Sequence, residues 1–206
     1  DVNAHPHYSQ SKTLALIHNG IIENYATLKE FLKSKGCEFV SETDTEVLVQ
    51  LIEYMKNKHG GDLYEAVHYA LSQVEGAYAM GVIEKGNPNV LIAARKGSPL
   101  VIGVGDDEFL LGSDASPIIE YTNRVVYLDD EEVTRLERNK DLEIRNLSNV
   151  IVEHEVSELK LSLSEIEKGD YPHFMLKEIF EQPNSLAMCM NGRINKELKE
   201  IKLSGI

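Results

Sequence analysis

Thr13-Leu14-Ala15-Leu16-Ile17-His18-Asn19-Gly20-Ile21-Ile22-Glu23-Asn24-Tyr25 is the stretch on which the fold turns. Its apolar run, Leu14 to Ile17, predicts a short buried strand that starts at Thr13 and ends at His18. Asn-Gly directly after a strand is a strong hairpin signal. A hairpin, however, needs a second strand at once, and the residues after Gly20 lead into a helix. That helix is expected at about Asn24–Lys35, with Tyr25, Leu28, Phe31 and Leu32 on one face and Gly36 as its stop. From spacing alone, two readings of Asn19-Gly20 stand. The commoner is a tight turn. The other is an oxyanion hole, in which the Asn19 carboxamide and the Gly20 N–H are fixed donors for the charge that acyl transfer builds on a carbonyl oxygen.

Further along, Ser41-Glu42-Thr43-Asp44-Thr45-Glu46 predicts the start of a second helix. Thr43 is placed to accept an amide hydrogen bond from Glu46, the third helical residue, while the Glu46 side chain reaches back to the cap. The core stripe of this helix is Val47, Leu48, Leu51, Ile52 and Met55, and Gly60-Gly61 ends it. Asp44 in the first turn suits the helix dipole, an effect worth about 0.3–1 kcal/mol. A carboxylate fixed there is also the kind of group that receives the α-ammonium of an amino acid. A third helix is expected over Leu63–Val74.

After Gly76 the period changes to that of strands. They are expected at Ala77–Ile83, Val90–Ala94, Leu100–Val104, Phe109–Leu111, Val125–Leu128, Glu132–Glu137, Leu142–Ile144 and Val150–Val152, with a short helix at Ser116–Tyr121. Ser162–Tyr171 is polar enough for a linker; helices then follow at Phe174–Phe180, stopped before Pro183, and at Asn184–Met190. A strand, then helices, then a run of strands makes a layered α+β fold. Leu14, Leu16, Ile17, Phe31, Leu48, Leu51, Ile52, Val67, Leu71, Val82, Leu91 and Val101 are expected to share one core.

Composition narrows the function classes. A formal net charge of −13 over 206 residues argues against a nucleic-acid binder, which needs clustered Lys and Arg. No apolar run approaches the roughly 20 residues of a membrane span, and no signal peptide opens the sequence. Cys37 and Cys189 are far apart and predict neither a disulfide framework nor a zinc site, so a cytoplasmic protein is expected. No metal or cofactor is expected either. His5-Pro6-His7 lacks a partner at ligand spacing. Asp129-Asp130-Glu131-Glu132 is most simply a solvated turn, and Gly103-Val104-Gly105 lacks the rest of a dinucleotide fingerprint.

Taken in order, Asp1-Val2-Asn3-Ala4-His5-Pro6-His7, His18-Asn19-Gly20-Ile21-Ile22-Glu23-Asn24 and Ser41-Glu42-Thr43-Asp44-Thr45-Glu46 closely resemble the glutamine–fructose-6-phosphate aminotransferase family. So do Arg95-Lys96-Gly97-Ser98-Pro99-Leu100-Val101-Ile102-Gly103, Ser113-Asp114-Ala115-Ser116 and Thr122-Asn123-Arg124-Val125-Val126-Tyr127-Leu128. Tyr171-Pro172-His173-Phe174-Met175-Leu176-Lys177-Glu178-Ile179-Phe180-Glu181-Gln182-Pro183 resembles that family's entry to a sugar isomerase domain, which other class II amidotransferases would not be expected to carry. The resemblance implies an N-terminal-nucleophile hydrolase fold, a four-layer α-β-β-α sandwich truncated at its N-terminus. It implies a partial glutaminase domain over residues 1–158, with linker and isomerase start over 159–206. It assigns Asn19 and Gly20 to the oxyanion hole, Asp44 to the substrate's α-amino group, and His5 to a supporting place near the glutamine pocket. The implied partners are L-glutamine, an isomerase domain with its fructose 6-phosphate, and further copies in a homodimer or higher oligomer.

The family's nucleophile is an N-terminal cysteine, whereas Asp1 stands first here. The expectation is therefore an enzyme fragment without glutaminase activity of its own, whose missing strands leave sheet edges unpaired. The alternatives are a non-catalytic glutamine-binding or assembly module, another class II amidotransferase, or a molecule in which upstream residues precede Asp1.

Overall fold

The computed structural model describes residues 2–159, 168–190, 194–195 and 200–201. The chain divides into two compact units, Asp1–Lys160 and Leu161–Ile206. The first unit begins with strands β1 (His7–Tyr8) and β2 (Leu14–Ile22), then helices α1 (Tyr25–Ser34), α2 (Asp44–His59) and α3 (Leu63–Leu71). Strands β3 (Gly76–Glu84), β4 (Asn87–Lys96), β5 (Val101–Val104), β6 (Phe109–Gly112) and β7 (Arg124–Tyr127) come next. Strands β8 (Glu132–Glu137), β9 (Glu143–Asn146), β10 (Ile151–Val152) and β11 (Ser157–Glu158) close the unit. They form two antiparallel sheets, one of order β1-β2-β3-β4-β8-β9-β10 and one of order β11-β7-β5-β6.

Strand alternation builds the layers. On β3, Tyr78, Met80 and Val82 face the helices, where they pack with Leu14 and Leu16 of β2, Val47, Leu48, Leu51 and Ile52 of α2, and Val67 and Leu71 of α3. The other face of β3 and β4 carries small residues, Ala79 and Ala93, which pack with Ile102 and Val126 of the four-stranded sheet and with Leu128 just beyond β7. Small residues there let the sheets approach: a β-carbon on Gly81 would stand 2.9 Å from a Leu111 methyl. The outer face of the second sheet packs Val101 and Val125 against Ala115 and Ile118.

The fold is the expected α+β sandwich, with several differences of detail. The single core resolves into three clusters, because alternation sends Leu91 to the sheet–sheet side and Val101 to the outer side. Ile17 is 48% exposed: it lies on the sheet–sheet face of β2, and the sheet–sheet core draws on no residue of that strand. Phe31 lies off the Leu28/Leu32 stripe of α1 and turns its ring against Tyr54 at 5.3 Å. Strand β2 runs through Asn19-Gly20 to Ile22, because β3 pairs with it along its whole length. The outer layer at Ser116–Tyr121 is turns rather than a regular helix, in which three-residue bonds (Ile118 N–H to the Ala115 carbonyl, Tyr121 N–H to the Ile118 carbonyl) mix with four-residue ones, and Asp114 accepts the Ser116 N–H at 2.7 Å.

In the second unit, α4 (Phe174–Met190) continues through Pro183 instead of stopping before it, giving up one amide bond but not its remaining turns. Its Phe180 ring stacks on Tyr171 at 5.9 Å, and a two-stranded ladder pairs β12 (Ile194–Asn195) with β13 (Glu200–Ile201). The linker expected over Ser162–Tyr171 falls largely outside the described residues.

Candidate functional site

The first turn of α2 is the crossroads of the site, for each of its four residues holds a different piece of chain. Thr43 caps the helix by accepting the Glu46 N–H at 3.2 Å, and its hydroxyl also meets His7 Nε2 at 3.2 Å. One Asp44 oxygen, Oδ2, accepts the Ile22 N–H at the end of β2 at 2.8 Å. Thr45 Oγ1 lies 3.1 Å from His18 Nδ1 and 3.2 Å from His5 Nε2. Glu46 is buried and reaches past the cap rather than back to it. Its carboxylate accepts the Val40 N–H at 2.9 Å and the Ser41 N–H at 2.7 Å, which fixes the entering loop.

Gly20 is set by sterics and by register. It has φ +131°, and a β-carbon there would stand 2.2 Å from the Ala77 carbonyl oxygen and 3.0 Å from Ser98 Oγ. The β2–β3 ladder is hydrogen-bonded at Thr13–Lys85 and at Glu23–Glu75, so the bonded positions of β2 are the odd-numbered ones. The Gly20 N–H therefore points away from β3, toward the side on which β1 has already ended, since β1 pairs only with Ala15 and Leu16. The Ile22 N–H points the same way, and that is where Asp44 captures it. Two residues of strand separate them, which puts the Gly20 N–H and the Asp44 carboxylate about 7 Å apart. The second Asp44 oxygen, Oδ1, has no hydrogen-bond donor among the described residues.

Asn19 lies on the opposite strand face from His18, exposed, with no hydrogen bond to its carboxamide among the described residues. His5 is exposed on the loop ahead of β1, its ring edge-on to His7 at 5.4 Å. The structure thus brings Gly20, Asp44 and His5 to one end of β2 and leaves the Asn19 side chain open to solvent beside them. Cavities of about 790 and 630 Å³ lie elsewhere in the unit, lined by other residues. Burial, and next the neighbouring His5, hold His7 below the usual imidazole range. Burial also holds His18 down, opposed in part by the Asp44 carboxylate. Both rings are therefore neutral at pH 7.

Two of these participants, His18 and Thr45, carry no sequence signal on their own. Their spacing holds a hint: His18 shares a strand face with residue 20, and Thr45 adjoins Asp44. Among the described residues, Asp129, Glu132 and His154 bring metal-type ligand atoms within 4.8 Å of one another. Glu132, expected in a solvated turn, is in fact buried. Its oxygens accept the Asp129 N–H at 2.6 Å and meet His154 Nε2 at 2.8 Å, so the group ties the segment after β10 to the start of β8.

A family model described as a glutamine amidotransferase domain matches residues 1–120. The chain belongs to that family. Among curated relatives, a glutamine–fructose-6-phosphate aminotransferase (isomerizing) from Bacteroides thetaiotaomicron is 60% identical, covering 100% of this chain and 33% of that protein. A protein of the same name from Chlorobaculum tepidum is 50% identical, again over 100% of this chain and 34% of that one. The amidotransferase chain thus spans about a third of these relatives' length. Among solved structures, the glutamine phosphoribosylpyrophosphate amidotransferase from B. subtilis is 28% identical with a TM-score of 0.58, covering 72% of this chain and 33% of that one. The amidotransferase fold is thereby the N-terminal-nucleophile sandwich that the layers describe.

Proposed function

We propose that this chain is the glutamine-handling part of a glutamine–fructose-6-phosphate aminotransferase. In that reading it holds L-glutamine while the side-chain amide is split, and the ammonia goes to fructose 6-phosphate to make glucosamine 6-phosphate on an isomerase domain. The observation that carries the proposal is the end of β2, where the Gly20 N–H points to the side on which Asp44 accepts the Ile22 N–H, and neither the Gly20 N–H nor Asp44 Oδ1 has a partner among the described residues. Their separation of about 7 Å falls within the roughly 6–10 Å over which one glutamine spans ammonium and side-chain carbonyl. Asp44 Oδ1 receives the ammonium. The Gly20 N–H and the Asn19 carboxamide donate to the carbonyl oxygen as it takes up charge, and losing one such donor costs about 10²–10³ in rate. His5 supports the pocket from the β1 side.

The family's attacking thiolate is not supplied by Cys37. Burial first, and Glu53 next, push that thiol up, away from the thiolate a nucleophile needs. Residues 159–206 are, in this proposal, the linker and entry to the isomerase domain. The protein works in the cytoplasm as a homodimer or higher oligomer, a state that sedimentation equilibrium reads directly. No helix among the described residues is long and apolar enough to cross a membrane.

Calorimetric titration with L-glutamine tests the site. Wild-type chain should bind, and Asp44→Asn should bind at least about tenfold more weakly, the order expected for losing one charge-assisted bond. Equal binding by the two proteins would reject the ammonium clamp.

A further inference from the structure

Gly20 is bracketed. Two residues before it, His18 bonds Thr45; two residues after it, Ile22 bonds Asp44. Thr45 and Asp44 are neighbours in the first turn of α2, so the strand that offers the Gly20 N–H is clamped to the helix that offers the Asp44 oxygen on both sides of the donor. The Ile22 clamp uses the Asp44 carboxylate itself. The His18 clamp does not touch the proposed substrate position, and its only connection to the helix is one hydroxyl.

We infer that Thr45 is a positioning residue for glutamine recognition: its hydroxyl, held between His18 and His5, sets where the Asp44 oxygen stands relative to the Gly20 N–H. The inference rests on the proposed roles of Asp44 and Gly20 and adds the residue that fixes their separation. A hydroxyl has one proton and two lone pairs. Thr45 can donate to one ring while it accepts from the other, the two rings then taking complementary tautomers. Thr45 is buried, 3% exposed, and so is His18 at 5%, so neither exchanges this bond freely for water. His5 then acts through Thr45 rather than on the substrate, which explains how an exposed histidine on a loop belongs to the site.

The same arrangement makes the clamp sensitive to protonation. The groups facing the His18 ring are Asp44, which favours its charged form, and His5, which opposes it. His7 faces His5, Glu46 and Asp44. A protonated His18 can only donate to Thr45 and places a cation at the positive end of α2, which disturbs the bonds that fix Asp44.

The test is calorimetry with L-glutamine on the 206-residue chain between pH 5.5 and 8, comparing wild type with Asp44→Asn, Thr45→Val and Thr45→Ser. Valine keeps the shape of threonine and removes the hydroxyl; serine keeps the hydroxyl. Thr45→Val is expected to weaken binding about five- to thirtyfold at pH 7.5, about 1–2 kcal/mol for one buried hydrogen-bonded hydroxyl, and to flatten the loss of binding on acidification. Thr45→Ser should bind within about twofold of wild type and keep its pH profile. Imidazole ¹⁵N spectra should show the His18 and His5 tautomers changing in Thr45→Val and not in Thr45→Ser, a readout that mere loss of packing does not move. Binding that Asp44→Asn abolishes but Thr45→Val leaves intact overturns the inference alone. Binding that neither variant affects, or no binding by wild type, overturns the reading of the site and the inference with it. A Thr45→Ser variant as weak as Thr45→Val assigns the effect to packing and also overturns it.

Discussion

At position 20 a β-carbon has nowhere to go. It would overlap the Ala77 carbonyl, and the backbone there has φ +131°. Gly20→Ala is therefore expected to cost at least about 2 kcal/mol, strain and overlap together, measured as a lower midpoint in urea. Asn19→Ala should behave in the opposite way. Its side chain is exposed and holds nothing among the described residues, so stability should stay within about 0.5 kcal/mol. In a longer protein in which this chain is part of an active glutaminase, ammonia release from glutamine by Asn19→Ala should fall about 10²–10³-fold. An unchanged rate would leave Asn19 as a surface residue. The Asn-Gly pair was conspicuous in the sequence, but its conformation was not. The atoms that forbid a side chain at Gly20 belong to Ala77 and Ser98, and only long-range pairing brings them there.

Helix α2 shows how far a local rule reaches. The capping role of Thr43 follows from Thr-Asp-Thr-Glu alone, and the structure has it. What four residues of sequence do not contain is that Glu46 serves the loop at Val40-Ser41, or that histidines from two other segments converge on Thr43 and Thr45. The acid sensitivity of this element follows from those contacts. Burial holds His7 and His18 below the ordinary imidazole value of 6.5. The unfolded chain therefore takes up protons that the fold resists. Their contribution to stability is complete above pH 6.5 and is lost as pH falls from there through the folded values. Thermal melts at pH 7.5, 6.5 and 5.5 should show a midpoint that drops across the lower interval. A double His7→Gln, His18→Gln variant, whatever its midpoint at pH 7.5, should show a shallower drop. An equal drop in both proteins would place the acid sensitivity in other groups.

At the scale of the whole sandwich, two spacings had to be reconciled: helices need bulk beneath them, and a second sheet needs close approach. Ala77-Tyr78-Ala79-Met80-Gly81-Val82 meets both with one alternating strand, large side chains toward α2 and small ones toward β5–β7. The alternation made the strand legible in the sequence. That its two faces belong to different cores is not legible, because an apolar strand buried on both sides carries no polar face to mark the division, and the pattern alone therefore places Leu91 and Val101 in one core with Leu48. Gly81 tests the explanation. Its missing β-carbon would lie 2.9 Å from a Leu111 methyl and 3.5 Å from Ile17 and Leu91 side-chain atoms, with no backbone among the nearest three. Alanine needs only the end of one leucine to move, so Gly81→Ala should change stability by less than about 1 kcal/mol. Valine adds two methyl groups between the sheets, where the four-stranded sheet would have to lift from β3, and should cost about 1–3 kcal/mol by urea unfolding. If the spacing of the sheets did not depend on this strand, both variants would gain from the added apolar burial, and Gly81→Val would be the more stable of the two.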